Sequence, residues 1–185
     1  MKKPKAYYST PYSSPIGTMT LACDDGGNVV GVWLNPQKYY GDTVPGEMIE
    51  KNDVPTFAVV KKWLDRYFAG KNPDISELPL APIGGEFRQG VWSILRNIPY
   101  GEVTTYGDIA KKMAKKMKKK RMSAQAVGGA VGHNPISVII PCHRVVGANG
   151  NLTGFAGGID KKIKLLQHEG VDLSTFFVPK KGTAL

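Results

Sequence analysis

Cysteine, histidine and arginine stand side by side at Cys142-His143-Arg144, directly after the apolar residues 137–140 (SVII) and Pro141. A thiol attacks carbon strongly only as thiolate, so it needs a base or a cation beside it, and His143 and Arg144 are of those two kinds. If the chain stayed extended here, side chains 142 and 143 would face opposite ways, and a turn at Pro141 or a relaying water would have to couple them. On residue type alone, Cys142 reads as a buried structural cysteine as readily as a reactive one. Metal chemistry fits poorly: His133, His143 and His168 with Cys23 and Cys142 lack the ligand spacing of a zinc site, so no metal is expected. His168, in the last turn of a helix, suits the dipole there better than a ligand role. There is no P-loop, and Gly154-Phe155-Ala156-Gly157-Gly158 lacks a dinucleotide pattern, so no cofactor is expected.

Charge points to a partner. Residues 1–80 hold nine basic and nine acidic side chains, which leaves sixteen basic against six acidic for residues 81–185 and puts the whole net charge of +10 there. A neutral half joined to a strongly basic half suggests a polyanion for the second half only. Within it, residues 111–121 (KKMAKKMKKKR) carry eight Lys/Arg and no acid, so the end of that run should leave the helix to relieve repulsion. The small-residue segment Ser123-Ala124-Gln125-Ala126-Val127-Gly128-Gly129-Ala130-Val131 follows, slim enough for another surface to approach its backbone. In a helix-turn-helix this would be the recognition helix, with phosphates along the lysines.

The elements that must hold these groups follow from periodicity and punctuation. Residues 6–12 alternate loosely and stop at the turn signal Ser13-Ser14-Pro15-Ile16-Gly17. Residues 18–23 (TMTLAC) and 29–34 (VVGVWL) read as a strand pair around Asp24-Asp25-Gly26-Gly27-Asn28, and residues 35–53 as loop. Residues 55–69 form a helix with Phe57, Val60, Trp63, Leu64, Tyr67 and Phe68 at three- and four-residue spacing. Residues 71–85, with three prolines and two glycines, mark the domain boundary. Helices then cover 86–97, a stretch from Tyr106 through Met113 capped by Thr104 or Thr105, and 123–131; residues 137–140 form a short strand, and a Gly-rich loop leads to a last helix over 159–169. The expectation is a mixed α/β (α+β) chain: a sheet-plus-helix domain over 1–80, a helical domain carrying Cys142 over 81–175, and a tail over 176–185.

Four motifs in order and spacing carry a resemblance: IPYGEVTTYGDIA (98–110), QAVGGAVGHNP (125–135), IPCHRVVG (140–147), and GFAGG followed by LLQHEG. They resemble the O6-alkylguanine-DNA alkyltransferases, the methylated-DNA–protein-cysteine methyltransferases, across nearly all of residues 85–171, and SPIGTMTLA and GVWL resemble the family's amino-terminal domain. The resemblance implies a ribonuclease H-like first domain and a winged helix-turn-helix-like second one. It implies irreversible transfer of an alkyl group from O6 of a flipped-out guanine to Cys142, one turnover per molecule, with O4 of thymine a further candidate. His143 would take the thiol proton through a water, Glu169 would hold His143, Asn134 would brace the turn, and Tyr106 would donate toward the base. The carbonyls of Cys142 and Val145 would read the guanine amino group, the Ala156 N–H would face O6, and Ser137 and Thr153 would wall the pocket. Ser123, Gln125, Ala126 and Gly128, with Thr104 and Arg121, would meet DNA.

Two positions depart from the family's habit. Gln125 stands where many members have the arginine that fills the gap left by the flipped base, which predicts weaker or more salt-sensitive flipping. Ala156 replaces a common serine, leaving only the backbone donor. The expected partner is double-stranded DNA containing O6-alkylguanine, with no membrane and no obligate protein partner, for a monomer in the cytoplasm. No run of about 18 apolar residues exists to span a bilayer, no apolar leader opens the chain, and two cysteines make no disulfide framework. The rival enzyme is a cysteine hydrolase, which leaves the basic slim helix unexplained; the rival non-enzyme is a DNA-binding module without an acceptor cysteine, which Cys142 argues against.

Overall fold

Turn chemistry sets the sheet. In the computed structural model, which describes residues 6–180, Pro15 and Ile16 join β1 (Tyr7–Ser14) to β2 (Gly17–Asp24), with Gly17 at φ 118. The two strands pair antiparallel over their full length, Tyr7 opposite Asp24 and Ser14 opposite Gly17. The next turn is tied by Asp24, whose carboxylate accepts from the Gly26 and Asn28 amides at 3.0 and 2.8 Å; an aspartate bonding its own following backbone is what this turn requires. β3 (Val29–Leu34) then pairs antiparallel with β2. All of β3 is buried because its free edge is taken too: Val29 N–H donates to Pro79 O and Val32 N–H to Pro135 O, both at 2.8 Å. A covered edge explains a strand that is apolar on both faces.

The expected loop over 35–53 contains one more strand. β4 (Met48–Glu50) lies parallel to β1 on the opposite edge, giving the order β3-β2-β1-β4. Three residues are too few for periodicity to register. α1 (Pro55–Phe68) has proline in its first turn and packs on β1 and β2. It buries Phe57, Val60, Trp63, Leu64 and Tyr67, each worth about 1.5–3 kcal/mol over exposure. The Trp63 indole N–H finds Asp74 O at 2.9 Å.

The chain divides into two compact units, Met1–Gly84 with Pro135–Ile139, and Gly85–Asn134 with Ile140–Leu185. Residues 1–5 and 181–185, the basic opening and the end of the expected tail, lie outside the described residues. Phe176 packs with Val146, Leu152 and Leu166, and Phe177 pairs with Asn151, so the start of that tail is bound into the second unit.

In the second unit α2 (Glu86–Leu95), α3 (Tyr106–Lys116) and α4 (Ala124–Gly132) pack on one another. The Trp92 indole joins α2 to α4 by donating to Ala130 O at 2.9 Å. Thr105 caps α3, accepting from Asp108 N–H, while Thr104 lies with it in β5 (Thr104–Thr105), parallel to β6 (Val145–Val146). The lysine run does leave the helix: Lys118 sits at φ 54, and Lys119 N–H closes back on Ala114 O at 2.8 Å, a six-residue closure that ends the helix. Ser123 caps α4 through the Ala126 N–H. α5 (Ile159–His168) ends at Glu169.

The strand expected over 137–140 is absent. Ile136 makes a single bridge to Val32, Ile139 N–H donates to Ser137 O at 2.9 Å, and Val138 between them stands at φ 71. A left-handed residue inside a three-residue turn cannot extend a strand, and a β-branched one there is strained. Apolar composition reflected burial, not extension.

Candidate active site

Cys142 is placed by two turns in succession. Pro141, at φ −81 and ψ 66, centres a three-residue turn in which Cys142 N–H donates to Ile140 O at 2.8 Å. These are the angles of an inverse γ-turn, and the proline ring holds φ there. A 3-10 turn over Cys142–Arg144 follows, closed by Arg144 N–H on Pro141 O at 3.1 Å. Side chains about 120° apart replace the opposite faces of a strand. Asn134, which is buried, donates from Nδ2 to the same Ile140 O at 2.8 Å, so one carbonyl fastens both the end of α4 and the start of the cysteine turn.

His143 is fully buried with Nε2 2.7 Å from Glu169 Oε1. Burial alone would raise the Glu169 pKa, but hydrogen bonds and charge from His143 and Arg144 more than offset it and hold the carboxyl below its usual range. Glu169 is therefore an acceptor, and the hydrogen on His143 must be on Nε2. Burial, the largest influence, pushes the His143 pKa down, so the ring is neutral. Nδ1 is then a bare lone pair, and it is buried without a hydrogen-bond partner among the described residues. A neutral imidazole with a free nitrogen and an anchored opposite N–H is a base.

Sequence reading offered Arg144 as a cation for the thiol, and the structure sets it on the carboxylate instead. It grips Glu169 with Nε on Oε2 at 2.8 Å and Nη2 on Oε1 at 2.9 Å, and Nη1 donates to Ile98 O at 2.5 Å. Its guanidinium lies 5.6 Å from the Tyr100 ring centre, and Gly101 N–H adds a bond to Glu169 Oε2 at 3.2 Å. The Ile98-Pro99-Tyr100-Gly101 stretch thus serves the His143–Glu169 pair. Lys162 was missed: fully buried on α5, it donates from Nζ to Val145 O and to Thr153 O. A lysine in an amphipathic helix reads as solvated, and only spatial neighbours show otherwise.

Burial raises the Cys142 pKa; the Asn134 side chain, the Lys162 charge and the amides of Cys142 and His143 offset part of that rise. The resting group is a thiol, so a base is needed to ionise it.

The remaining expected residues fall in several places. Tyr106, at the start of α3, donates to the glycine-loop carbonyls of Thr153 and Gly154 at 3.1 and 3.0 Å, and burial keeps its phenol protonated. Val145 is buried directly after the cysteine turn, and Ala156 is half-buried in the loop. Ser137 belongs to the first unit, where its N–H bonds Val32 O and its hydroxyl donates to Gln37 Oε1 at 3.4 Å. Ser123, Gln125 and Ala126 lie on the exposed face of α4, Gly128 faces the Tyr106 ring, and Arg121 is exposed beside Lys119 and Lys120. Thr104 is half-buried against Val145. Among the described residues no three His, Cys, Asp or Glu side chains are placed to hold a metal.

The chain matches two family models. One, the DNA binding domain of 6-O-methylguanine DNA methyltransferase, covers residues 86–171; the other, that protein's ribonuclease-like domain, covers residues 7–82. The methylated-DNA–protein-cysteine methyltransferase of Haemophilus influenzae is 41% identical over 167 residues, 90% of this chain and 88% of that one. That of Methanosarcina acetivorans is 42% identical over 164 residues, 89% and 98% of the two chains. Among solved structures, the Mycobacterium tuberculosis O6-methylguanine methyltransferase superposes with a TM-score of 0.74 at 36% identity, covering 95% of this chain and 96% of that one. The crystal structure of Mycobacterium tuberculosis OGT in complex with DNA gives 0.74 at 37% identity, covering 89% and 92%. Identity of this order along nearly the whole chain, on a fold that puts a thiol, a neutral imidazole and a carboxylate in one buried cluster, makes this protein a member of the methylated-DNA–protein-cysteine methyltransferase family.

Proposed function

We infer that this protein repairs DNA by direct reversal, moving an alkyl group from DNA onto its own Cys142. DNA is its partner. The damaged base is O6-alkylguanine in duplex DNA, flipped out of the stack because no thiolate reaches O6 inside a helix. The observation that carries this reading is the bare, buried Nδ1 of a neutral His143 anchored to Glu169, in the residue after the only cysteine of the second unit.

Three stages follow. His143 Nδ1 takes the Cys142 proton through one water, and Glu169 steadies the imidazolium that results. The thiolate then attacks the alkyl carbon; the S–C bond forms as the C–O6 bond breaks, and the electron pair leaves with the purine. The purine takes up a proton and becomes guanine. Tyr106, the α3 phenol bonded to the glycine loop, turns from the Thr153 and Gly154 carbonyls to the base. The exposed face of α4, with its run of small side chains, enters the groove, and Gln125 occupies the gap in the stack. A thioether has no leaving group that these residues can expel, so each molecule acts once. It works as a monomer in a reducing compartment, where the thiol stays free.

The test is a duplex with one labelled O6-methylguanine. Native protein acquires a single methyl on the Cys142 peptide and none on Cys23; Cys142→Ser acquires none. Sustained turnover, or label on the serine variant, refutes the assignment.

A further inference from the structure

Lys162 belongs to no step above, yet it is fully buried. Its two partners, Val145 O and Thr153 O (2.7 Å), are neutral. Carbonyl dipoles solvate an ammonium without cancelling its charge, and buried charges are normally paired. No carboxylate pairs with Lys162 among the described residues.

The charged groups around the site sort into two sets. Arg144 and Glu169 close on each other, and His143 between them is neutral. Tyr106, on α3, stays protonated. Before the proton moves, that leaves among the described residues one uncompensated cation, Lys162, and one group within its field able to become an anion, Cys142. The helix makes the arrangement possible: Lys162 and Glu169 stand seven residues apart, so two turns of α5 present both on one face to the segment running from Cys142 to Val145. The carbonyls that Lys162 holds belong to the two backbone stretches that follow Cys142, β6 and the glycine loop.

We propose that Lys162 is the countercharge of the Cys142 thiolate and fastens the β6 and glycine-loop carbonyls around it, a positioning residue whose role rests on the reading of Cys142 as alkyl acceptor. Its proton is already loosened, burial bringing its pKa down to about 8 against the opposing pull of Cys142. Alkylation turns the thiolate into a neutral thioether and removes the partner charge that Lys162 faces while Cys142 is ionised.

Single-turnover methyl transfer from an O6-methylguanine duplex, measured between pH 6 and 9.5, tests this with native protein and Lys162→Met. If native protein transfers nothing, the function is misassigned; if it transfers, only the lysine's role is at stake. The Met variant is expected to transfer at least about tenfold more slowly at pH 7, with a pH midpoint moved up by about one unit. The deficit should shrink as pH rises. An equal slowing at every pH, or a native profile, overturns the countercharge. Should the Met variant fail to fold, Lys162→Arg, which keeps the charge, decides: its pH midpoint should stay at the native value, and a midpoint moved up by about one unit overturns the proposal.

Discussion

His143 Nε2 and Glu169 Oε1 lie 2.7 Å apart, and neither side chain is exposed to solvent. One ring nitrogen is thereby committed to a carboxylate that cannot donate, and the other is left as the base.

Acid should unfold the protein in two stages. The folded His143 pKa is depressed, so the stability it contributes is whole above its unfolded value of about 6.5 and is lost as pH falls below it. Glu169 is depressed as well, so its contribution is whole above about 4.3 and is lost as pH falls through its lower folded value. Melting temperature measured from pH 8 down to 3 should decline first below about 6.5 and again below about 4.3. His143→Gln, which keeps a donor for Glu169, should abolish the first decline only. It should also slow transfer by about 10²–10⁴-fold.

Asn134→Ala removes one of two hydrogens from Ile140 O and leaves a buried site short of a donor. Stability should fall by about 1–3 kcal/mol in denaturant titration. Transfer should slow more than that loss explains, because the turn carrying Cys142 is released. Asn134→Asp at neutral pH, which brings an acceptor and a charge, should be worse in both respects.

Gly154 should tolerate no side chain. It sits at φ 65, and an added Cβ would lie 2.7 Å from the Tyr106 hydroxyl oxygen. Gly154→Ala is expected to destabilise the protein by about 1–3 kcal/mol and to displace Tyr106. A crystal structure of the variant with Tyr106 unmoved would contradict this.

Gln125, exposed on α4, is set for a gain of function. Gln125→Arg adds a charge and a stacking plane at the gap left by the flipped base, and should tighten binding to an O6-methylguanine duplex by roughly 0.5–2 kcal/mol. Fluorescence anisotropy across a salt series checks it, and affinity equal to that of native protein rules out this placement of residue 125.

Local sequence determined the regular elements. The α1 stripe from Phe57 to Tyr67, the Asp24 turn and the Thr105 cap depend on neighbours within a few residues, and each stands where spacing put it. The charge asymmetry and the slim surface of α4 were equally legible, since exposed residues keep the character that composition states. Wherever an element answered to a distant partner, the reading failed. β4 exists because β1 offers it an edge, and residues 138–140 are apolar because they are buried, with Val138 turned back at φ 71.

At the site the same division holds. Residue types named Cys142, His143 and Glu169, the last by family likeness, but not the protonation that makes His143 a base. That came from a carboxylate 26 residues away, itself gripped by Arg144 and by the Gly101 amide. Lys162 illustrates the limit: within its helix it is one lysine among several, and only packing that removes it from water turns a solvated charge into one that must find a partner.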